Sequence, residues 1–270
     1  MECKVLAIVQ ARLGSTRLPG KVLKRVNGRP LIQILLHRLS KSKKLDKIIL
    51  ATSKKEENDV LDSFVQNLGF ETYRGSEKDV LGRYYNAAKI YNPKFVVRIT
   101  GDCPMIDSDL VDDVIRFFEE NNLEYASNIN PPTYPDGLDV EVFTYEVLKE
   151  ANQYAKTPYE REHVTPYIKS NDNYKIDNVF NNNNYSNERW TVDEPEDLII
   201  IKNIFNHFKP NLDFSWKDVL RLKKSHPDYF KANKSIQRNA GAELGTGQKL
   251  WNRAKKIIPG GNMLLSKRAE

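Results

Sequence analysis

Cysteine is nearly absent: the 270-residue chain has two, Cys3 and Cys103. Neither sits in a paired-cysteine metal or redox motif, so a zinc-knuckle fold and a disulfide scaffold are excluded, and two ordinary thiols are expected. Long apolar runs are missing too. Stretches such as Val5 to Val9 and Leu198 to Ile201 fall far short of the ~20 residues a membrane helix needs. Lys4 precedes a strand-like run with no small-residue cleavage site after it, so no signal peptide is read and cytoplasmic residence is expected. The Gly-Lys-Ser/Thr of the common P-loop and the three-glycine dinucleotide fingerprint are both missing, as is any Ser-His-Asp or Cys-His pattern. Nor is charge of one sign concentrated. The 42 basic residues exceed the 36 acidic ones for a net +6, but lysines interleave with acids, as in Ser53 to Asp59. That pattern fits a solvated surface and phosphate-rich small substrates, and no nucleic-acid partner is expected.

What is present is an alternation of strand and helix signals. Val5 to Val9 reads as a strand buried on both faces. Leu31, Ile34, Leu35 and Leu39 repeat at helical spacing. Lys47 to Ala51 and Glu71 to Tyr73 read as strands, with a helix between them through Leu61, Val65 and Leu68 that stops at Gly69. Val80 to Ile90 is a predicted helix and Lys94 to Thr100 a strand. Asp107 or Ser108 caps the helix that carries Leu110, Val111, Val114, Ile115 and Phe118. Such alternation with short connections implies an α/β fold with a mostly parallel sheet covered on both faces. Further on, Leu138 to Phe143 and Trp190 to Val192 read as strands, Tyr145 to Tyr154 and Glu196 to Phe208 as helices, and the Asn-rich stretch from Asn171 to Asn187 as loop or hairpin. Composition changes near Phe230. Residues 231–247 read as a linker between a domain at 1–230 and a tail at 248–270, in which Leu250 to Ile258 regains helical spacing before Pro259-Gly260-Gly261.

The segment from Gln10 to Lys21 follows the first strand, where ligands bind in open α/β sheets. Ala11 begins it. Gly14 and Ser15 allow a triphosphate to approach the backbone. Arg12 and Lys21, with Arg17, can neutralise phosphate oxygens and the charge on departing pyrophosphate. A basic surface turn is the competing reading of the same residues.

Two carboxylates stand at strand ends: Asp102 in Arg98-Ile-Thr-Gly-Asp-Cys-Pro104 and Asp193 in Arg189-Trp-Thr-Val-Asp-Glu-Pro195. Together they can share one Mg²⁺, which takes one or two protein carboxylates and completes its shell with water and phosphate. Asp193 reads equally as the N-cap of the following helix, and Asp102 as a turn residue. Tyr134, Asp136, Asp139 and Glu141 lie in a polar strand entry suited to sugar hydroxyls or to a metal shell. Arg161, Glu162 and His163 form the one cluster of these three types, with His163 a candidate for substrate binding or proton transfer or, equally, a structural hydrogen bond.

Taken in order, six segments resemble the spore-coat polysaccharide cytidylyltransferase-like family, a branch of the acylneuraminate and Kdo cytidylyltransferases. They are Gln10 to Lys21, Arg74-Gly-Ser-Glu-Lys-Asp-Val-Leu81, Arg98 to Pro104, Tyr134-Pro-Asp-Gly-Leu-Asp-Val-Glu141, Arg161-Glu-His-Val-Thr-Pro166, and Arg189-Trp-Thr-Val-Asp-Glu-Pro-Glu-Asp197. The resemblance spans roughly Val5 to Phe208. It implies a Rossmann-like three-layer sandwich of the nucleotide-diphospho-sugar transferase type with a mostly parallel mixed sheet. It also implies that Arg12, Ser15 and Lys21 bind triphosphate, that Arg74, Ser76 and Arg83 lie near base and ribose, that Asp102 and Asp193 hold Mg²⁺, and that the protein is a homodimer. The acceptor-binding residues of sialic-acid and Kdo enzymes are not closely matched after Asn128. The stretch Gly247 to Gly261 resembles the opening of a glutamate-1-semialdehyde-type aminotransferase, which implies a fused parent polypeptide but no aminotransferase activity in this chain.

The expectation is therefore a cytidylyltransferase that joins CTP to an acidic sugar for surface polysaccharide or glycan synthesis, with His163 or a metal-bound hydroxide as base. Two alternatives stay open from sequence: transfer to a sugar phosphate or other phosphorylated acceptor, and a non-catalytic nucleotide-binding module serving a fused aminotransferase.

Overall fold

The computed structural model describes residues 3–236 and Arg238. Its central strand is β1 (Val5–Gln10), apolar and buried through Val9. Leu6 and Ile8 enter one core, and Val5, Ala7 and Val9 enter the other. A strand covered on both faces needs such an unbroken apolar run. β4 (Lys47–Ser53) and β6 (Phe95–Thr100) flank β1 in parallel, and β5 (Glu71–Gly75) extends the sheet beyond β4. A small hairpin, β2 (Arg25–Val26) and β3 (Arg29–Pro30), turns at Asn27-Gly28, where both residues have positive φ, as a two-residue turn of this type demands.

Beyond β6 the sheet becomes mixed. β8 (Glu141–Thr144) runs antiparallel between β6 and β7 (Tyr125–Ser127), and β9 (Ile176–Asn178) closes the edge in parallel with β7. The order is β5-β4-β1-β6-β8-β7-β9. One face is covered by α1 (Leu31–Leu39), α2 (Asp59–Asn67), α4 (Ser108–Glu120), α8 (Pro195–Phe208) and α9 (Trp216–Ser225). α3 (Val80–Tyr91), α5 (Tyr145–Tyr154) and α7 (Pro166–Lys169) cover the other, and α6 (Pro158–His163) lies against α3 and α7. This is the expected three-layer α/β sandwich. Asp107, rather than Ser108, caps α4, its carboxylate accepting from Asp109 N and Leu110 N at 3.1 Å each.

Two expected strands differ. β8 begins at Glu141, not Leu138, because the Asn128 amide takes over the ladder: its Nδ2 donates to Leu138 O at 2.8 Å and its Oδ1 accepts from Val140 N at 2.9 Å. Trp190 to Val192 forms no strand and joins no ladder. Trp190 N donates to Asp136 O at 2.7 Å and Val192 N to Asp102 O at 2.8 Å, so the segment ties two loops together. Residues through Lys234 form one compact unit. The predicted helix at 250–258 and the aminotransferase-like stretch lie outside the described residues. Among the described residues no helix is long and apolar enough to cross a membrane.

Candidate active site

The chain moves outward from β1 through β4 to β5 and then crosses back to β6. The crevice beyond β1 and β6 is therefore the switch point at which ligands bind in such sheets. The two loops that leave it touch. Gly101 N donates to Gln10 O at 2.7 Å. A Cβ at Gly101 would lie 2.6 Å from the Cβ of Ala11, which is itself buried, so glycine is required for this approach. The loop folds back on itself, with Leu13 O accepting from Ser15 N at 2.8 Å and Gly20 N at 3.1 Å. The Ser15 hydroxyl accepts from Leu18 N at 3.4 Å.

The far end of the loop carries Lys21 into a pair of acids. Its Nζ donates to Asp102 Oδ2 at 2.9 Å and to Asp193 Oδ1 at 2.7 Å, with the lysine side chain only 13% exposed. Arg17 reaches Asp193 at 3.1 Å and Glu194 at 3.3 Å. Burial alone would lower the Lys21 ammonium, but the two carboxylates outweigh it and raise its pKa. Burial pushes the Asp102 carboxyl up, yet Lys21 and the Thr100 hydroxyl hold it well below the usual carboxylate range. Both partners thus stay charged at neutral pH. Cys103, beside Asp102, is buried; burial and then the nearby charges of Asp102, Asp139 and Asp136 push its thiol up, so it is no thiolate nucleophile.

A second tier fixes Asp193. The N-cap of α8 is Glu194, so the Asp193 side chain is free of capping. Asp197 does the local work: its Oδ2 accepts from Asp193 N and Glu194 N at 2.9 Å each. Arg189 grips Asp197 with two donors at 2.9 Å, Asp136 at 3.0 Å and Asp193 at 3.2 Å. Gly137, at φ 103°, lets this turn lie against Trp190 and Thr191, where a Cβ would come within 2.6 Å of Thr191 N. Arg189 and Asp197 lie inside a motif noticed in the sequence, but nothing in their spacing marks them as the clamp; a buried arginine becomes visible only with its acids around it.

The near end of the loop faces a second group. Arg12 donates to Glu77 at 3.1 Å, and Lys55 pairs with the same carboxylate. These residues line a cleft of about 670 Å³ with Lys78, Asp79, Pro158, Arg161 and Glu162. Arg161 holds Asp79, the N-cap of α3, through two bonds of 2.8 and 2.7 Å. A Cβ at Gly82 would strike the Asp79 carboxylate at 2.3 Å, so this helix start is built around glycine. Arg74 is occupied with Ser53 O at 3.3 Å, Lys55 O at 2.9 Å and Asp59 at 2.6 Å. Arg83 is buried and donates to Ser76 O at 2.7 Å, while Ser76 Oγ accepts from Asp79 N at 3.1 Å. Lys55 and Glu77 are members of the cleft that sequence reading does not single out, Glu77 even though it lies within the Arg74 to Leu81 motif.

The remaining residues separate. Tyr134 is buried, with its ring 5.5 Å from that of Trp216. His163 sits at the end of α6 with its ring 4.6 Å from that of Tyr159. Val164 next to it has φ 70° and ψ −56°, and Thr165 N donates to His163 O at 2.8 Å. This positive-φ γ-turn is a strained arrangement for a β-branched residue, and it delivers Thr165 to Glu141. Glu141 is 2% exposed. It pairs with Arg98 and accepts from the hydroxyls of Tyr125 and Thr165 at 2.7 Å each, with Lys169 at 3.9 Å.

Burial would raise the Glu141 carboxyl, but Arg98, Lys169, Thr165 and Tyr125 outweigh it and hold its pKa down to about 2. The folded value lies below the unfolded one, so the stabilisation is complete above the ordinary glutamate range and is lost as pH falls toward about 2. That corresponds to roughly 3 kcal/mol. Glu141→Gln should lower the urea midpoint at pH 7 and flatten its decline between roughly pH 4.5 and 2. Parallel wild-type and variant curves over that window would show that Glu141 carries none of it.

A mixed α/β sandwich with a cation-bridged acid pair and a basic loop at its switch point defines a nucleotidyltransferase. The family model described as Cytidylyltransferase matches residues 6–232, and the chain belongs to that family of CTP-dependent nucleotidyltransferases. It is 38% identical over 245 residues to an uncharacterized protein of Methanocaldococcus jannaschii, covering 89% of this chain and 99% of that protein. It is 33% identical over 235 residues to the spore coat polysaccharide biosynthesis protein SpsF of Bacillus subtilis, covering 83% of this chain and 95% of that one. A solved cytidylyltransferase from Leptospira borgpetersenii superposes with a TM-score of 0.80 at 32% identity, covering 86% of this chain and 97% of that one.

Proposed function

We propose that the protein transfers a cytidylyl group from CTP to the anomeric hydroxyl of an acidic sugar in the cytoplasm, as a homodimer, for surface polysaccharide synthesis. The observation that carries this reading is the convergence of Lys21, Asp102 and Asp193 on one point, set against the basic loop of a cytidylyltransferase. The sugar class is supported by kinship with SpsF, whose name places it in polysaccharide biosynthesis, and with a 3-deoxy-manno-octulosonate cytidylyltransferase, whose name states an acidic sugar.

In the reaction the sugar oxygen bonds to the α-phosphorus, the bond from that phosphorus to the β-phosphate bridge oxygen breaks, and pyrophosphate leaves. The hydroxyl proton passes to a base. Arg12, Arg17 and Lys21 supply positive charge for the triphosphate and the leaving group. Asp102 and Asp193 fit a magnesium ion because both already reach one cation, the Lys21 ammonium. Among the described residues no cluster of three or more acidic, histidine or cysteine ligands occurs; two carboxylates with water and phosphate are what this ion takes. When bound it would supply charge stabilisation at the α-phosphate.

Pyrophosphate release tests the reading, measured with CTP, UTP, GTP and ATP against panels of free acidic sugars and sugar phosphates. Release is expected with CTP and a free acidic sugar. Release confined to sugar phosphates would replace the acceptor, and release confined to another nucleotide would replace the donor.

A further inference from the structure

The compact unit does not finish at α9. A 3₁₀ turn, Pro227–Phe230, brings the chain back along α8, where Asn203 Nδ2 donates to Tyr229 O at 3.0 Å and Phe230 is buried. Three residues later Asn233, only 6% exposed, turns its amide into the tier behind the acid pair. Its Nδ2 donates to Arg189 O at 3.0 Å and to Asp197 Oδ1 at 2.9 Å.

Asp197 is the pivot of that tier. Its Oδ1 accepts from Arg189 Nε and from Asn233; its Oδ2 accepts from Arg189 Nη2 and from the main-chain amides of Asp193 and Glu194. Asn233 therefore touches both members of the pair that sets Asp193: the carboxylate that holds its backbone and the main chain of the arginine that reaches its side chain. A buried asparagine with both contacts satisfied fixes a geometry rather than filling space, since an apolar residue of the same volume would leave Arg189 O and one Asp197 lone pair without that donor.

We propose that Asn233 is a positioning residue for nucleotidyl transfer, acting on Asp193 through Asp197 and Arg189 from behind the acid pair. Polar residues one shell behind a carboxylate ligand orient it, and their loss costs on the order of 10–100-fold in metal affinity or activity. The inference rests on Asp193 acting at the reacting phosphate.

The test compares Asn233→Ala with Phe230→Leu, a packing lesion in the same segment that leaves Asp197 untouched. Turnover, KM for CTP, Mn²⁺ affinity by paramagnetic resonance in the presence of CTP, and thermal midpoint are read for each. Asn233→Ala is expected to lower kcat and Mn²⁺ affinity by about tenfold, with KM for CTP shifted less than about threefold. Phe230→Leu is expected to lower the midpoint and leave kcat and Mn²⁺ affinity near wild type. If Asn233→Ala behaves as Phe230→Leu does, or changes nothing, the positioning role is overturned and Asn233 only closes the fold. Asp193→Asn is measured alongside: retained activity there removes the reading of Asp193 itself, whereas loss there with a silent Asn233→Ala removes only the present inference.

Discussion

Asp102→Asn is expected to lower turnover by at least about a thousandfold while the protein stays folded. The two halves of that expectation come from different atoms. The main chain of Asp102 does the structural work: its carbonyl accepts from Val192 N at 2.8 Å and from the Thr191 hydroxyl at 3.2 Å. An asparagine keeps both bonds and, through its own carbonyl, can still accept from Lys21. What it loses is the negative charge, which the structure keeps ionised by placing Lys21 and the Thr100 hydroxyl against it. If Asp102 were only a turn residue, the amide would serve as well as the acid. Pyrophosphate release with Mg²⁺, beside a circular-dichroism melt, separates the two. A melt within a few degrees of wild type together with undiminished turnover would sink the assignment.

Much of the frame that carries Asp102 is legible in the sequence because burial on both faces imposes unbroken apolar runs. Val5 to Val9, and Phe95 to Ile99 with Arg98 as its one polar residue, read as central strands, and the loops that follow them must open on one crevice. The helices of the first half are equally plain, because each presents one apolar stripe to one core. The second half reads less well for a physical reason. β7 and β9 are three residues long, too short for alternation to show, and β9 lies inside an Asn-rich stretch that reads as loop. Trp190 to Val192 has strand composition, yet its partners are loop atoms of Asp136 and Asp102, and composition cannot report which backbone a segment will bond.

The site divides along the same line. Asp102 follows β6 and Lys21 ends the loop after β1, so topology alone brings those two near, whereas Asp193 is tied to them by the bond from Val192 N to Asp102 O. The tier behind them is not legible in that way. Arg189 is one of many arginines until Asp136, Asp197 and Asn233 surround it. An acid in a strand such as Glu141 looks the same in sequence whether it faces a ligand or, as the structure shows, lies against Arg98 under the hydroxyls of Tyr125 and Thr165. Long-range charge pairing is a property of the fold, and periodicity carries no trace of it.

Lys21→Met is expected to have the second large effect, and with a sign that differs between two measurements. The Lys21 ammonium lies between Asp102 and Asp193 at 2.9 and 2.7 Å, the place proposed for a divalent cation. Two cations crowded onto the same two oxygens repel each other, so they compete for this place. A metal ion that binds alone must displace Lys21 from both carboxylates and leave it without a partner at a largely buried position, an uncompensated charge. Triphosphate changes that balance by offering Lys21 new oxygens, so metal and nucleotide should bind the wild type with positive coupling. Removing the ammonium removes the competitor. The variant should bind Mn²⁺ without nucleotide at least about tenfold more tightly than wild type, a difference of ~1.4 kcal/mol or more. Its thermal midpoint without metal should fall, since two carboxylates then face each other, and should rise further on Mn²⁺ addition than the wild-type midpoint does. Turnover should nevertheless fall by on the order of a hundredfold or more, because the charge that steadies the departing pyrophosphate is gone. Calorimetric titration of Mn²⁺ with and without CTP, for both proteins, reads the coupling directly. Equal Mn²⁺ affinity for the two ligand-free proteins would show that Lys21 does not stand in the metal's place, even if turnover is lost.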